Sequence, residues 1–120
     1  LIAERDIIGH VRRIAPVFAA RVKKFDRFDF IGNVRAIGLI GAMEFCADRS
    51  SREKFDPAHK IAAKAVAKIQ EHGVILRALP GDIVGFCPPL IISEGELHDM
   101  FDRVEAAMDA LQPFADEIRA

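Results

Sequence analysis

Apolar residues recur every three or four positions in three stretches of the chain and cluster in short runs in the two stretches between them. The first spacing is that of a buried helix face, and the second is typical of strands. The pattern therefore predicts the order αββαββα. Four strands are too few for a doubly wound sheet, and a tight turn between the last two indicates antiparallel pairing. We expect an α+β domain whose helices cover one face of a small antiparallel or mixed sheet.

The first helical stretch contains a proline and is followed by glycine-interrupted strands. Its predicted buried stripe is Ile7, Val11, Ile14, Phe18, Val22 and Phe25. Pro16 removes one helical hydrogen bond, so a kink or a break into two helices is expected there. Residues 33–37 and 39–46 are predicted to form one strand that bends at Gly38 and continues. Gly38 and Gly41 could leave room for a ligand or subunit, or form a bulge, which is the simpler interpretation.

Two helix starts carry capping signals. Asp56 followed by Pro57 is expected to cap the second helix, which should end at Gly73. Ser93 and Glu96 have the spacing of a capping box, so both carboxylates near that start are explained by capping rather than by acid/base chemistry. The third helix should run to Pro113, with a frayed tail or one extra turn beyond it. The lysines of the second helix lie off its apolar stripe and should be solvated: Lys60, Lys64 and Lys68.

A short predicted hairpin near residue 80 contains one cation whose position suits it to bind a ligand. Residues 74–76 and 83–86 are predicted to be strands joined by a turn at Pro80, Gly81 and Asp82. Arg77 lies just before this turn, where a rigidly held guanidinium can grip a carboxylate with two parallel hydrogen bonds. The alternative is an ion pair between Arg77 and Asp82 within the hairpin. By contrast, Arg35 is expected to be a structural ion-pair partner.

Length and composition exclude several classes of function. At 120 residues the chain is long enough for one domain, spanning residues 1–120. A net charge of −1 gives no electrostatic reason to expect a nucleic acid or an anionic membrane as partner. No apolar run approaches the roughly 20 residues of a membrane span. The four histidines lack metal-ligand spacing, so no metal site is expected. Cys46 and Cys87 are predicted to be buried free thiols, which fits a reducing cytoplasm.

Two separated blocks of this sequence resemble the C-terminal part of the class III, or omega, aminotransferases, and the resemblance covers about residues 5–112. The downstream block contains Gly73-Val74, Arg77, Gly81-Asp82, Pro88-Pro89-Leu90, Ser93 and Glu96-Leu97. The upstream block contains Val34-Arg35, Gly38-Leu39, Ala42 and Glu44. These enzymes use pyridoxal phosphate and have fold type I. The resemblance implies that this chain is the C-terminal small domain. The large domain, with the cofactor lysine and the phosphate-binding residues, is expected to precede residue 1.

The resemblance also implies a role for Arg77 and a type of substrate. An arginine at this position of the family binds the substrate carboxylate and in some members swings away for an uncharged amine. The ornithine-type branch carries its carboxylate-binding arginine where this chain has Gly85. This favours transfer of an amino group from an amine or omega-amino acid to a keto acid such as pyruvate. The full-length enzyme is expected to be a homodimer, and the chain alone to be inactive and to hold no catalytic or cofactor-binding residue.

Two other classes of function stay open on the residues alone. A free-standing α+β module that binds a small acid at Arg77 would have the same apolar pattern. An interaction domain would also have it, and Arg77→Ala would then change assembly without changing ligand binding.

Overall fold

The computed structural model describes the backbone of residues 2–119 and the side chains of residues 7–119. The helices are α1, Ile2–Lys23; α2, Ile61–Glu71; and α3, Glu94–Arg119. The strands are β1, Ile31–Ile37; β2, Ile40–Phe45; β3, Arg77–Leu79; and β4, Ile83–Phe86. Short 3₁₀ helices, Lys24–Arg27 and Pro57–His59, follow α1 and precede α2. The predicted order αββαββα is confirmed.

The four strands form one antiparallel sheet in the order β1-β2-β4-β3. Alternate residues of the two central strands are buried against the helices, and they include Met43, Phe45, Val84 and Phe86. Their neighbours along each strand point to the opposite side, because successive side chains of a strand alternate between faces. We call that opposite side the open face. The predicted α+β domain, with helices on one face of a small sheet, is thus confirmed.

Aromatic side chains make up the centre of the core. The rings of Phe18 and Phe25 on the α1 side, Phe86 in β4 and Phe101 in α3 contact one another, with centroids 5.4–6.0 Å apart. All four side chains are buried. They join the first helix, the sheet and the last helix into one hydrophobic core.

Both long helices continue through their prolines. Of the alternatives expected, the break at Pro16 is wrong, whereas the extra turn beyond Pro113 is formed, since α3 runs to Arg119. Proline removes one backbone donor, but packing on either side can hold the helix together. Pro16 lies between the buried residues Ile14 and Phe18, and Ala115 is buried two residues after Pro113. Each proline side chain is itself exposed. Core packing therefore outweighs the lost hydrogen bonds.

The strand predicted to continue past Gly38 instead reverses there, because Gly38 and Leu39 form the turn between β1 and β2. Gly38 has a φ of +58°, which suits glycine in a tight turn. The irregularity in pairing lies at Gly32, between Ile31 and Asn33. Gly41 leaves room for α1, since a Cβ there would lie 3.1 Å from Phe18 and Val22. The bulge expected at Gly38 is therefore wrong, and the space beside this glycine is open.

The third strand comprises residues 77–79 rather than the predicted 74–76. The amide of Val74 donates to the carbonyl of Ile69 at the end of α2. Residue 74, predicted to begin the strand, is therefore bonded to the helix and not to the sheet. Arg77 consequently lies at the start of β3 and not after it. The predicted end of α2 near Gly73 is confirmed, with a φ of +89° at that glycine. Asp56 accepts from the Ala58 amide and caps the short 3₁₀ helix instead of α2.

The capping box at the start of α3 is confirmed. The Ser93 hydroxyl accepts from the Glu96 amide at 3.1 Å, and the Glu96 carboxylate accepts from the Ser93 amide at 3.0 Å. The hydrogen bond from the Ser93 backbone lowers the pKa of Glu96. The helix start is therefore held from both sides.

Replacing Ser93 with alanine should lower the free energy of unfolding by roughly 0.5–2 kcal/mol, because the Glu96 amide loses its acceptor. Urea melts of the parent and the variant measure this difference. Ser51→Ala is the control, since Ser51 lies in an exposed loop, where its hydroxyl accepts a long bond of 3.3 Å from the Glu53 amide and caps no helix. Equal midpoints for the Ser93 variant and the parent would contradict a stabilising cap.

No helix in the described part of the chain has an apolar stretch long enough to cross a lipid bilayer.

Candidate functional site

The open face of the sheet carries large apolar side chains that no described helix covers. Ile37 is 80% exposed and Ile40 is 61% exposed, although the two residues pair directly across β1 and β2. Ile75 and Leu79 extend this apolar surface at the other edge, towards β3. Together with parts of the backbone they line a groove of about 640 Å³. An exposed apolar groove of this size is typical of a binding surface.

A single row of residues crosses the floor of this groove. Arg35 in β1 pairs with Ala42 in β2, Ala42 pairs with Gly85 in β4, and Gly85 pairs with Arg77 in β3. Residues directly opposite in antiparallel strands share a face of the sheet. An arginine therefore lies at each end of the row, and an alanine and a glycine lie between the two arginines.

Arg77 lies on the edge strand and lines the groove. Its side chain is exposed, and among the described side chains its guanidinium has no hydrogen bond or ion pair. The alternative ion pair with Asp82 is not formed. Asp82 belongs to the turn, has a φ of +57°, and its carbonyl accepts from the Phe45 amide. Arg77 is thus available to bind an anion in the groove.

Arg35 has a structural partner, as predicted. Its guanidinium donates to Glu44 at 3.3 Å, and the Lys54 ammonium contacts the other oxygen of Glu44 at 3.0 Å. The hydrogen bond from Lys54, followed by that from Arg35, holds the pKa of Glu44 below its ordinary value of 4.5, although partial burial opposes this shift. Because Glu44 is neutralised by two cations, it does not offset the charge of Arg77.

The lowered pKa of Glu44 predicts how stability depends on pH. A carboxylate whose pKa is lower in the folded chain contributes stability above its unfolded value, and that contribution is lost as the pH falls through the folded value. As the pH falls below about 5, the free energy of unfolding should therefore decrease less for Glu44→Gln than for the parent. Urea melts across this range measure the difference. Glu117→Gln is the control, as Glu117 is exposed and without an ion pair among the described side chains. Parallel pH curves for Glu44→Gln and the parent would contradict the prediction.

The sequence patterns missed several residues of the groove. Cys87 is an exposed free thiol that lines it, so the prediction of a buried thiol is wrong, whereas that for Cys46 is confirmed. Cys87 follows β4 on the open side, where no helix packs. The apolar pair Ile37 and Ile40 around the Gly38 turn was the available signal, but an apolar run does not show which face is covered. The floor of Ala42 and Gly85 depends on strand register alone.

The described lysines lie away from the groove, and none of them lines it. The Lys64 ammonium lies 5.0 Å from the centroid of the Phe114 ring, and Lys68 pairs with Glu71 at 3.1 Å. A lysine that binds a carbonyl compound needs a desolvated pocket that lowers its pKa. Within residues 7–119 there is also no group of three metal-ligating side chains.

Fold and groove together define a small α+β domain with a cation at the edge of an apolar binding surface. Residues 1–108 match the family described as aminotransferase class-III, and the chain belongs to this family.

Relatives and solved structures agree with this assignment. The chain is 36% identical over 110 residues to the uncharacterized aminotransferase y4uB of Sinorhizobium fredii, covering 90% of this chain and 24% of the relative. It is 39% identical over 80 residues to the diaminobutyrate–2-oxoglutarate transaminase of Halomonas elongata, covering 66% of this chain and 17% of the relative. A PLP-bound aminotransferase mutant from Vibrio fluvialis superposes with a TM-score of 0.87 at 32% identity, covering 92% of this chain and 24% of that structure. The chain thus spans about a quarter or less of these proteins.

Proposed function

We propose that this chain is the C-terminal small domain of a longer aminotransferase that uses pyridoxal phosphate, and that Arg77 binds the carboxylate of the substrate. The observation that carries the proposal is the exposed guanidinium of Arg77 at the edge of the groove, without a partner among the described side chains. A guanidinium offers a carboxylate two parallel hydrogen bonds. Membership of the aminotransferase family makes an amino or keto acid the ligand to expect.

In this proposal the chain supplies binding and orientation. Pyridoxal phosphate, when bound, supplies the electron sink for amino-group exchange, and it is held by residues outside this chain. Arg77 holds the acid end of the substrate at one edge of the sheet. The apolar surface of Ile37, Ile40 and Leu79 contacts the substrate body and keeps water away from it. The groove thereby forms one wall of the substrate pocket.

The groove also supports a type of substrate. Among the described side chains, two arginines and no carboxylate line it, and of these two arginines Arg35 is paired with Glu44 whereas Arg77 has no partner. One unpaired cation suits a ligand with a single carboxylate. We therefore propose transfer from an amine or omega-amino acid to a keto acid such as pyruvate. We propose further that the full-length enzyme is a homodimer and that it is cytoplasmic. The free thiols of Cys46 and Cys87 support a reducing compartment.

The chain by itself should not bind pyridoxal phosphate at one defined lysine. The described lysines are exposed or ion-paired, so any reaction should be spread over several of them. Borohydride reduction followed by peptide mapping measures this distribution. Modification of one lysine at one equivalent per chain would contradict the proposal that the cofactor site lies elsewhere.

The proposed role of Arg77 is tested by measuring the acid and amine half-reactions separately in a full-length enzyme with Arg77→Ala. A loss confined to the acid half-reaction supports carboxylate binding. Equal losses in both would show that Arg77 is structural. Retention of acid binding by the isolated 120-residue chain, with no amino transfer in any longer form, would instead favour a free-standing binding module.

A further inference from the structure

A second cavity, of about 570 Å³, lies where β1 and β2 meet the loop that follows β2. Its polar lining consists of three cations, one carboxylate and one amide: Arg49, Arg52, Lys54, Glu44 and Asn33. The apolar side chains of its lining, Phe45 and Cys46, are buried. Charged and amide groups therefore form the exposed wall of this cavity, which we call the basic cavity.

Carboxylates hold two of the three cations in place. The Arg49 guanidinium donates to the backbone carbonyl of Asp26 at 2.8 Å and to its carboxylate at 3.0 Å. The Lys54 ammonium lies 3.0 Å from Glu44, which a second cation from β1 also contacts. The one carboxylate among the described residues of the lining is thus shared by two cations. The basic cavity therefore carries an excess of positive charge.

Arg52 is the cation of this lining that has no partner among the described side chains. It is exposed and lies in the four-residue turn closed by the pairing of Asp48 with Glu53. Its φ is +60°, in the left-handed region that glycine and asparagine adopt more readily than residues with long side chains. The backbone of this turn therefore favours another residue at position 52. What the arginine adds is an unpaired guanidinium in the basic cavity.

We propose that the basic cavity binds a phosphate group, with Arg52 as its principal contact and Arg49 and Lys54 as supporting donors. A guanidinium binds phosphate through parallel hydrogen bonds, and an ammonium binds it as a point charge. Arg49 and Lys54 can take part because a guanidinium has five N–H donors and an ammonium three, more than their ion pairs use.

The number of cations favours phosphate over a carboxylate. A phosphate group presents three acceptor oxygens and more than one negative charge, so it can contact several cations at once. A carboxylate has two oxygens and one charge, and a single arginine satisfies it. The basic cavity therefore suits the more highly charged ligand.

The test is calorimetric titration of inorganic phosphate into a full-length enzyme that has been loaded with pyridoxal phosphate and dialysed into a phosphate-free buffer. Arg52→Asn should raise the dissociation constant of phosphate about tenfold, the loss expected for one charge-assisted hydrogen bond. Asparagine tolerates the left-handed conformation, so the melting temperature of this variant without phosphate should not fall. Loss of binding with retained stability separates a ligand contact from a structural role.

A second probe, phenyl phosphate, distinguishes the free ion from the phosphate group of a larger molecule. If both probes bind and both are weakened in Arg52→Asn, the basic cavity holds the phosphate group of a larger molecule. If inorganic phosphate alone binds in this way, the ligand is the free ion. Acetate should bind to the parent at least about tenfold more weakly than phosphate, because it makes fewer charge-assisted hydrogen bonds.

Controls decide whether the effect belongs to the basic cavity. Arg12→Gln removes an exposed arginine of α1 that has no partner among the described side chains, and it should leave the dissociation constant unchanged. Unchanged phosphate binding in Arg52→Asn, or an equal loss in Arg12→Gln, would overturn the proposal. Loss of binding in Arg77→Ala but not in Arg52→Asn would place the anion in the groove and also overturn it. Equal affinities for acetate and phosphate would overturn the assignment of phosphate.

Discussion

Arg77→Lys in a full-length enzyme should lower kcat/KM of the acid half-reaction roughly ten- to a hundredfold and leave the amine half-reaction nearly unchanged. Lysine keeps the positive charge but loses the planar fork that binds both carboxylate oxygens. A lost charge-assisted hydrogen bond is worth about 1.5–3 kcal/mol, which gives this range. Stopped-flow measurement of each half-reaction avoids mixing the two within the full cycle.

Arg35→Lys is the matched control for this prediction. Arg35 stands at the opposite end of the same cross-strand row and is already paired with Glu44. The Lys54 contact to Glu44 remains in that variant, so both half-reactions should change little. Equal losses in both half-reactions of Arg77→Lys would assign Arg77 a structural role. No loss in either would place the carboxylate on another arginine of the full-length enzyme.

Phe101→Ala should reduce the free energy of unfolding by about 3–5 kcal/mol. The Phe101 ring is fully buried and lies 5.5 Å from Phe18, 6.0 Å from Phe25 and 5.4 Å from Phe86, measured between centroids. Its removal leaves a cavity where α1, β4 and α3 meet. Urea melts monitored by circular dichroism measure the change.

Phe114→Ala controls for the loss of a phenylalanine from the same helix. Its ring is partly exposed and lies beneath the Lys64 ammonium, 5.0 Å from the centroid. Partial exposure reduces both the transfer free energy and the cavity, so the loss should be clearly smaller than for Phe101→Ala. Equal losses for the two variants would contradict the central role of Phe101 in the core.

Local sequence determined the features that depend on neighbouring residues. The spacing of apolar residues predicted three helices, since a helix face is set by residues three and four apart. Four residues of the stripe predicted for the first helical stretch are buried: Ile14, Phe18, Val22 and Phe25. The Ser93 and Glu96 pair predicted the start of α3, because both hydrogen bonds of a capping box lie within one turn. Arg77 was identified as a candidate from its place beside a rigid turn and from the family resemblance.

Only the tertiary structure decided the features that depend on distant residues. Packing of Phe18 and Ala115 keeps α1 and α3 continuous through Pro16 and Pro113, and no local rule predicts the strength of that packing. The contact between Val74 and Ile69 moves β3 to residues 77–79. Strand register alone places Gly85 and Ala42 beside Arg77, because a shift of one residue would turn each side chain to the other face. The groove therefore depends on the pairing of four strands. That pairing is set jointly by residues that are far apart in the chain.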